Sequence, residues 1–370
     1  IKKGGFSFKE NQKMSLKVEQ PPTNYNSLTK SYEIVRRFVS EPTELREYKR
    51  DHRGNMFLMK DETDNPTGAY KWRGSAVKLN RLFGNELSGV VTASAGNHGQ
   101  GVAWVASEMG GSAEVFVPHG TPPAKLAGLE RLGAKVHLIG NNFDEATELA
   151  RRYAALKNQP FIHPFDDYDI MDGQGTIGQE LGVQFREQSL HYDDLVLFVP
   201  VGGGGLIGGV SRSIKALTNG RVKVVGVQVE GSDSAAVSFG VSTNARQKHY
   251  QDFSRIYEPT SRPSPNGSYC RLQASQPNED VDGTRVNLVG DYCARSINQY
   301  VDEFLVVSPR LIGQYYRENP NSTLEPAGAL SLVGAEAYSN LPRASLLYLV
   351  SIGTGKNQDP RRIQNLTKGA

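Results

Sequence analysis

The sequence predicts an α/β protein made of two units with mostly parallel sheets. Three observations predict it. From residue 88 onward, short apolar strands alternate with helix-length segments, the pattern of βαβ crossovers. A chain of 370 residues is more than one domain's worth at roughly 100–200 residues per domain. Its 39 glycines exceed the usual share of about 7%, and the densest runs fall where a strand hands over to a helix. A hydrophobic share of 38% with 22% charged residues is too apolar for a disordered chain and too polar for a membrane protein. No apolar run reaches the ~18 residues of a spanning helix, and the first residues lack a signal peptide's apolar core. The 42 Lys and Arg against 39 Asp and Glu leave +3, too balanced for nucleic acid as the main partner. Cys270 and Cys293 make neither a disulfide framework nor a Cys-rich zinc site. The chain therefore reads as a cytoplasmic globular protein, without membrane or metal.

Taken in order, residues 1–30 read as a polar, turn-rich arm. A short strand at Met56–Met59 leads through the turn Asp61–Asn65 and Pro66 into a helix from near Ala69. SGVVTAS, AEVFVP and AKVHLIG read as strands, and GQGVAWVASEMG and PPAKLAGLERLG as helices. DEATELARRYAAL places Ala146, Leu149, Ala150, Tyr153 and Ala154 on one helical face. PFIHPF closes this unit as a fourth strand. The predicted small domain is 85–160, inserted into a large domain of 1–84 and 161–370. The large domain continues with helix TIGQELGVQFREQ, strand DLVLFVPV, helix LIGGVSRSIKAL and strand KVVGVQVE. A polar, proline-bearing insertion at 240–280 breaks the rhythm, which returns with EFLVVS, AGALSLVGAEAY and SLLYLVSIG.

In VPVGGGGLIGGV, bare backbone at a helix mouth can turn several N–H groups toward an anion, aided by the helix dipole. Gly202, Gly203, Gly204, Gly205 and Leu206 are accordingly predicted to form a phosphate cup, against the plainer reading of a tight turn. The phosphate is not named by the cup. Gly203, Gly205 and Gly208 satisfy GxGxxG, and Glu230 follows at dinucleotide spacing, so a nicotinamide-dependent oxidoreductase stays open here. IGTGKN is not a kinase-type P-loop, because Asn357 replaces the Ser/Thr that would hold magnesium. TASAGNHGQG offers Ser94, Gly96, Asn97 and His98 at another helix mouth, suited to a carboxylate. Ser and Asn there also serve as simple caps, and His98 reads as an orienting residue. Lys71, in PTGAYKWRG, is a Schiff-base candidate if its pKa is lowered.

Together these segments resemble the fold-type II pyridoxal-phosphate enzymes, in the threonine/serine ammonia-lyase (dehydratase) branch, with serine racemase nearby. The resemblance runs from about Glu41 to Asn357 through KDETDNPTGAYKWRG, TASAGNHGQGVA, GTPPAKLAGLERLGAKVHLIG, FDEA, HPFDDYDIMDGQGTIGQEL, VPVGGGGLIGGV, VDGT, LEPAGA and SIGTGKN. It implies two three-layer αβα domains and pyridoxal 5'-phosphate as cofactor. Lys71 would carry the cofactor and move the α-proton, with Tyr70 on the cofactor ring where the family usually has phenylalanine. Ala69 stands where the family usually has serine. Asn97 would bond the ring oxygen, Gly202–Leu206 would hold the phosphate, and Thr354 would bond the pyridine nitrogen. Ser94, Ala95, Gly96, Asn97, His98 and Phe165 would line the substrate. Glu325 would lie on the cofactor's other edge, or equally cap a helix.

The implied reaction is β-elimination from a β-hydroxy or β-substituted amino acid, through an enamine, to a keto acid and ammonia. Ala95 stands where serine racemase has its second acid/base, which disfavours racemisation. Ala236 stands where a cation-binding carboxylate is expected after Glu230, leaving that metal site incomplete. The alternatives are a threonine synthase-like enzyme, a β-replacement synthase and a silent homologue. The resemblance also implies a homodimer or homotetramer. The short stretch after the last strand leads to the expectation that no regulatory C-terminal domain, and hence no feedback inhibition through one, is present.

Overall fold

The computed structural model describes residues 25–84, 88–249, 255–259, 278–342 and 345–369. Of the predicted arm, residues 1–24 lie outside that range. The rest is helical, because the arm's polar composition gives way at α1 (Tyr25–Phe38) to apolar positions that seat Leu28, Ile34 and Val35 in the core. The hairpin β1 (Leu45–Arg50) and β2 (Met56–Asp61) follows, then α2 (Trp72–Phe83). The helix begins at Trp72 rather than near Ala69. Ala69 is held in an isolated antiparallel bridge with Gly355, which leaves Lys71 at the N-cap.

Residues 90–138 build a sheet of their own. Strands β3 (Val90–Ala93), β4 (Ala113–Val117) and β5 (Ala134–Leu138) are parallel, in that order, linked by α3 (Asn97–Glu108) and α4 (Pro123–Arg131). Successive side chains point to opposite faces. Val90 and Val115 therefore pack with Trp72 and Val102, while Val91, Ala93 and Phe116 meet Ala150 and Ala154 of α5 (Phe143–Leu156). A sheet covered on both faces needs continuous apolar strands, as these are. PFIHPF adds only one bridge, Val91 to Phe161, not a strand. Pro160 and Pro164 carry no N–H to extend a ladder.

The remaining elements are α6 (Tyr168–Glu187), β6 (Leu195–Pro200), α7 (Gly205–Leu217), β7 (Lys223–Val229), α8 (Ser234–Thr243), β8 (Arg246–Lys248), β9 (Arg255–Glu258), α9 (Asp291–Tyr300), β10 (Glu303–Val307), α10 (Pro309–Glu318), α11 (Pro326–Ser339), β11 (Tyr348–Gly353) and α12 (Pro360–Lys368). The large sheet runs β1-β2-β11-β6-β7-β10-β9-β8. Its middle, β2 through β10, is parallel, and its edges are antiparallel. Leu197, Val199 and Val350 face α6 and α7, whereas Phe198, Val227 and Leu349 face α11. The result is three layers. The described part of the 240–280 insertion supplies the hairpin β8–β9 to the sheet edge, and residues 250–254 and 260–277 lie outside the described range.

Helix α6 starts at Tyr168, well before the predicted TIGQEL stretch. Asp167 caps it, accepting from the N–H groups of Asp169 and Ile170. Its glycines are contact points rather than breakers. A Cβ on Gly175 would come 2.9 Å from the Gly209 carbonyl oxygen, and one on Gly209 2.0 Å from that of Met171. Helices α6 and α7 thus meet backbone to backbone. Part of the glycine surplus serves this crossing, not a ligand. Among the described residues no helix is long and apolar enough to cross a membrane.

Candidate active site

Parallel strands deliver the predicted site residues at their carboxyl ends, where open α/β sheets place ligands. β3 ends at Ala93, followed by Ser94, Ala95, Gly96, Asn97 and His98 at the mouth of α3. β6 ends at Pro200, followed by Gly202–Leu206 at the mouth of α7. β11 ends at Gly353, followed by Thr354. Backbone pairing closes these loops on the Lys71 turn. The N–H of Tyr70 donates to the Thr354 carbonyl at 3.2 Å, and that of Glu325 to the Gly355 carbonyl at 2.9 Å.

Lys71 is partly buried, and its Nζ donates to the Pro164 carbonyl oxygen at 3.3 Å. Burial lowers its pKa from 10.5 to about 8, with Cys293 and Glu325 pulling the other way. The nitrogen also lies 5.3 Å from the centre of the Tyr70 ring, whose own hydroxyl burial pushes well up. Neighbouring Arg73 is not the cause of the lowering. It turns away into a separate buried cluster, bonding Glu62 at 2.9 Å and Glu180 at 2.7 Å, while Lys60 meets Glu180 at 2.6 Å. That cluster ties α2 to β2 and α6.

The glycine loop is tight as well as bare. Gly204 sits at φ 96, in the region that only glycine enters cheaply. A Cβ on Gly203 would come 2.5 Å from the Phe165 ring, and one on Gly204 2.8 Å from Cβ of Cys293. Phe165 therefore roofs the loop. It is held by its neighbours: His163 Nδ1 accepts from the Phe165 and Asp166 N–H groups, and the Asp166 carboxylate accepts from those of Asp291, Tyr292 and Cys293 at the mouth of α9. These loop-holding residues were not singled out in the sequence, although HPFDD contains them.

At the third loop, Asn97 Nδ2 donates to Glu325 Oε1 at 2.7 Å. Glu325 occupies the N-cap of α11 but its side chain makes no capping bond, so its bond to Asn97 replaces the capping role. Burial raises its carboxyl to about 7, opposed chiefly by the Asn97 bond. His98 is buried, with Nε2 3.2 Å from the Ile162 carbonyl oxygen. A nitrogen facing a carbonyl must carry the proton, so the tautomer follows. Burial lowers its pKa to about 3, and the ring stays neutral. Gly96 faces open space.

Over residues 38–350 the chain matches the family described as pyridoxal-phosphate dependent enzyme. The chain belongs to this family. It is 33% identical over 318 residues to threonine dehydratase 1 biosynthetic, chloroplastic, of Solanum lycopersicum, covering 85% of this chain and 47% of that protein. It is 30% identical over 349 residues to L-threonine dehydratase biosynthetic IlvA of Lactococcus lactis subsp. lactis (strain IL1403), covering 92% and 76%. The solved structure of the processed form of threonine deaminase isoform 2 from Solanum lycopersicum is similar with a TM-score of 0.77 at 29% identity, over 94% of each chain. The chain spans about half the length of the plant dehydratases it matches. The architecture is that of a fold-type II pyridoxal-phosphate enzyme, α/β with a mostly parallel sheet. Membership sets aside the nicotinamide reading of Gly203, Gly205 and Gly208. A Cβ on Gly208 would come 2.7 Å from Met171 Cε, so that glycine serves helix packing.

The residues present fit pyridoxal phosphate. A partly buried amine with a lowered pKa, a side-chain-free anion loop at a helix mouth and a fixed carboxamide meet its aldehyde, phosphate and ring oxygen in kind.

Proposed function

We propose that this chain is a lyase that eliminates the β-hydroxyl of a threonine- or serine-like amino acid, ending in a keto acid and ammonia. The observation that carries the reading is Lys71: a partly buried amine poised near pH 8 whose hydrogen-bond partner is a carbonyl, not a carboxylate. Pyridoxal phosphate, when bound, supplies an aldehyde for amino groups and an electron sink for the Cα electron pair. Lys71 Nζ would hold the cofactor and, once displaced by substrate, take the Cα proton. A base with a pKa near the working pH suits that task.

Other residues bind and orient. The N–H groups of Gly202, Gly203, Gly204, Gly205 and Leu206 would hold the phosphate, Asn97 the ring oxygen and Thr354 the pyridine nitrogen. Tyr70 would pack on the ring, and Glu325 would act on its edge through Asn97. Ser94, Ala95, Gly96 and Asn97 would receive the substrate carboxylate. His98, spent on Ile162, would shape that loop rather than move a proton. Phe165 would wall the substrate side. Ala95 offers no second acid/base, which favours elimination over racemisation. The dehydratase names of the tomato and Lactococcus relatives support threonine as the first substrate to try. Residues 85–160 would act as a small domain against the rest. We further propose a cytoplasmic homodimer or homotetramer, which light scattering on the purified protein checks.

The test is a panel of amino acids assayed for both ammonia and keto acid. Threonine or serine should yield the two in equal amounts, and Lys71→Ala should abolish both, together with the visible absorbance of the bound cofactor. A new amino acid accumulating without ammonia would overturn the reading in favour of synthase chemistry.

A further inference from the structure

Three side chains from distant segments form a chain of hydrogen bonds beside the site, and a backbone carbonyl decides its direction. The Thr67 carbonyl oxygen can only accept. Asn357 Nδ2 lies 3.0 Å from it and, with its other hydrogen, reaches Asn97 Oδ1 at 2.7 Å. With Oδ1 engaged, Asn97 turns Nδ2 toward Glu325 Oε1. An amide nitrogen carries two hydrogens, so one goes to Glu325 and the second is left for an acceptor in the pocket. Reversing any amide in this chain would set like against like.

We propose that Asn357 is a positioning residue that fixes the Asn97 carboxamide with its donor side toward the cofactor. The proposal rests on the reading that Asn97 faces the pyridoxal ring oxygen. The surroundings are built for it. Gly68 sits at φ +69, and a Cβ there would come 3.1 Å from Asn357 Oδ1. The Lys356 N–H donates to the Gly68 carbonyl at 2.9 Å. The Gln358 side chain donates to the Ser322 and Leu324 carbonyls, tying the same loop to the segment before Glu325.

Asn357 also acts on a proton through Asn97. A donor facing Glu325 favours its carboxylate, whereas a carboxamide turned half around presents Oδ1 and favours the protonated acid. Asp282, Lys125 and Lys71 are the charged groups that act on Glu325, and the phenols of Tyr70 and Tyr316 in turn feel its charge. None of them changes when Asn357 is replaced. Loss of Asn357 should therefore move Glu325's titration upward.

The experiment is an absorbance titration of cofactor-free protein with pyridoxal phosphate, for wild type, Asn357→Ala, Asn97→Ala and the double variant. Asn357→Ala should weaken binding about two- to tenfold, the range of one net hydrogen bond, yet change it less than about twofold once Asn97 is alanine. The pH midpoint of the bound spectrum should rise in Asn357→Ala, and the rise should vanish in a Glu325→Gln background. Asn357 is exposed, so its thermal unfolding should match wild type. Asn357→Asp, which keeps the shape but loses the donors, provides a second variant if alanine disturbs the loop. Equal weakening in both Asn97 backgrounds, or no weakening in wild type, overturns the proposal. A wild type that takes up no pyridoxal phosphate defeats the cofactor-site reading itself, and the proposal with it.

Discussion

Lys71 and Arg73 are two residues apart, the first partly and the second fully buried, and they differ in every respect that matters for chemistry. Arg73 lies between Glu62 and Glu180, and these carboxylates raise its already high pKa despite the cost of burial. Glu180 is in turn held down to about 2 by Arg73 and Lys60. Lys71 meets a carbonyl instead, and burial wins. The lesson is that dryness alone does not make an amine reactive. Partners decide, and α2 sends one cation to a saturated cluster and the other to a site that leaves its charge poorly compensated.

Removing one side of that contrast should cost stability, and removing the other should relieve strain. Arg73→Met leaves two buried carboxylates facing Lys60 alone. Urea unfolding should show a loss of about 3–5 kcal/mol, the range for breaking a buried ion pair from one side; a loss under about 1 kcal/mol would mean the cluster relaxes and the contrast is false. Lys71→Met should behave oppositely. In cofactor-free protein the folded state gives up the Lys71 proton at about 8 rather than 10.5, so the unfolded state binds more protons in that window and stability climbs with pH. At ~1.4 kcal/mol per pH unit the climb is about 3 kcal/mol, and Lys71→Met should erase it. His98 sharpens the point with a group that has no carboxylate partner. Its folded pKa is about 3 against 6.5, so its share of stability is intact above pH 6.5 and falls away below. Between pH 7 and 5 the wild type should lose about 2 kcal/mol from this source, and His98→Gln, which can still donate to Ile162, should not.

How much of this was legible beforehand follows from distance along the chain. The sheet of 90–138 shows in the sequence because each strand and helix is a local apolar pattern. The glycine cup, the Lys71 turn and the Asn97 loop were visible for the same reason, as runs of a few residues. The start of helix α6 is masked in the sequence because Gly173 and Gly175 look like breakers until the backbones of Gly74 and Gly209 are seen against them. The hairpin β8–β9 is polar and at an edge, so periodicity never marked it. Asn357 stands in the sequence as the end of SIGTGKN and as the residue that rules out a P-loop, with no sign of its partners. Its partners Thr67 and Asn97 lie 290 and 260 residues away, and no local pattern encodes such a meeting. The cluster of Arg73 was hidden likewise, since charge in a sequence carries no sign of burial.

Strand β11 lies between β2 and β6 in the large sheet. A ribosome therefore releases both flanking strands long before the one that joins them. The sheet of 90–138 has all its strands available early, while β2 waits with its partner edge open until residues 348–353 emerge. Late long-range pairing of this kind is slow and leaves strand edges exposed in the meantime. Newly made chains stalled short of β11 should be the species that chaperones hold and that aggregate, and enzyme activity in a cell should report completed synthesis more sharply than antibody detection of the amino-terminal half.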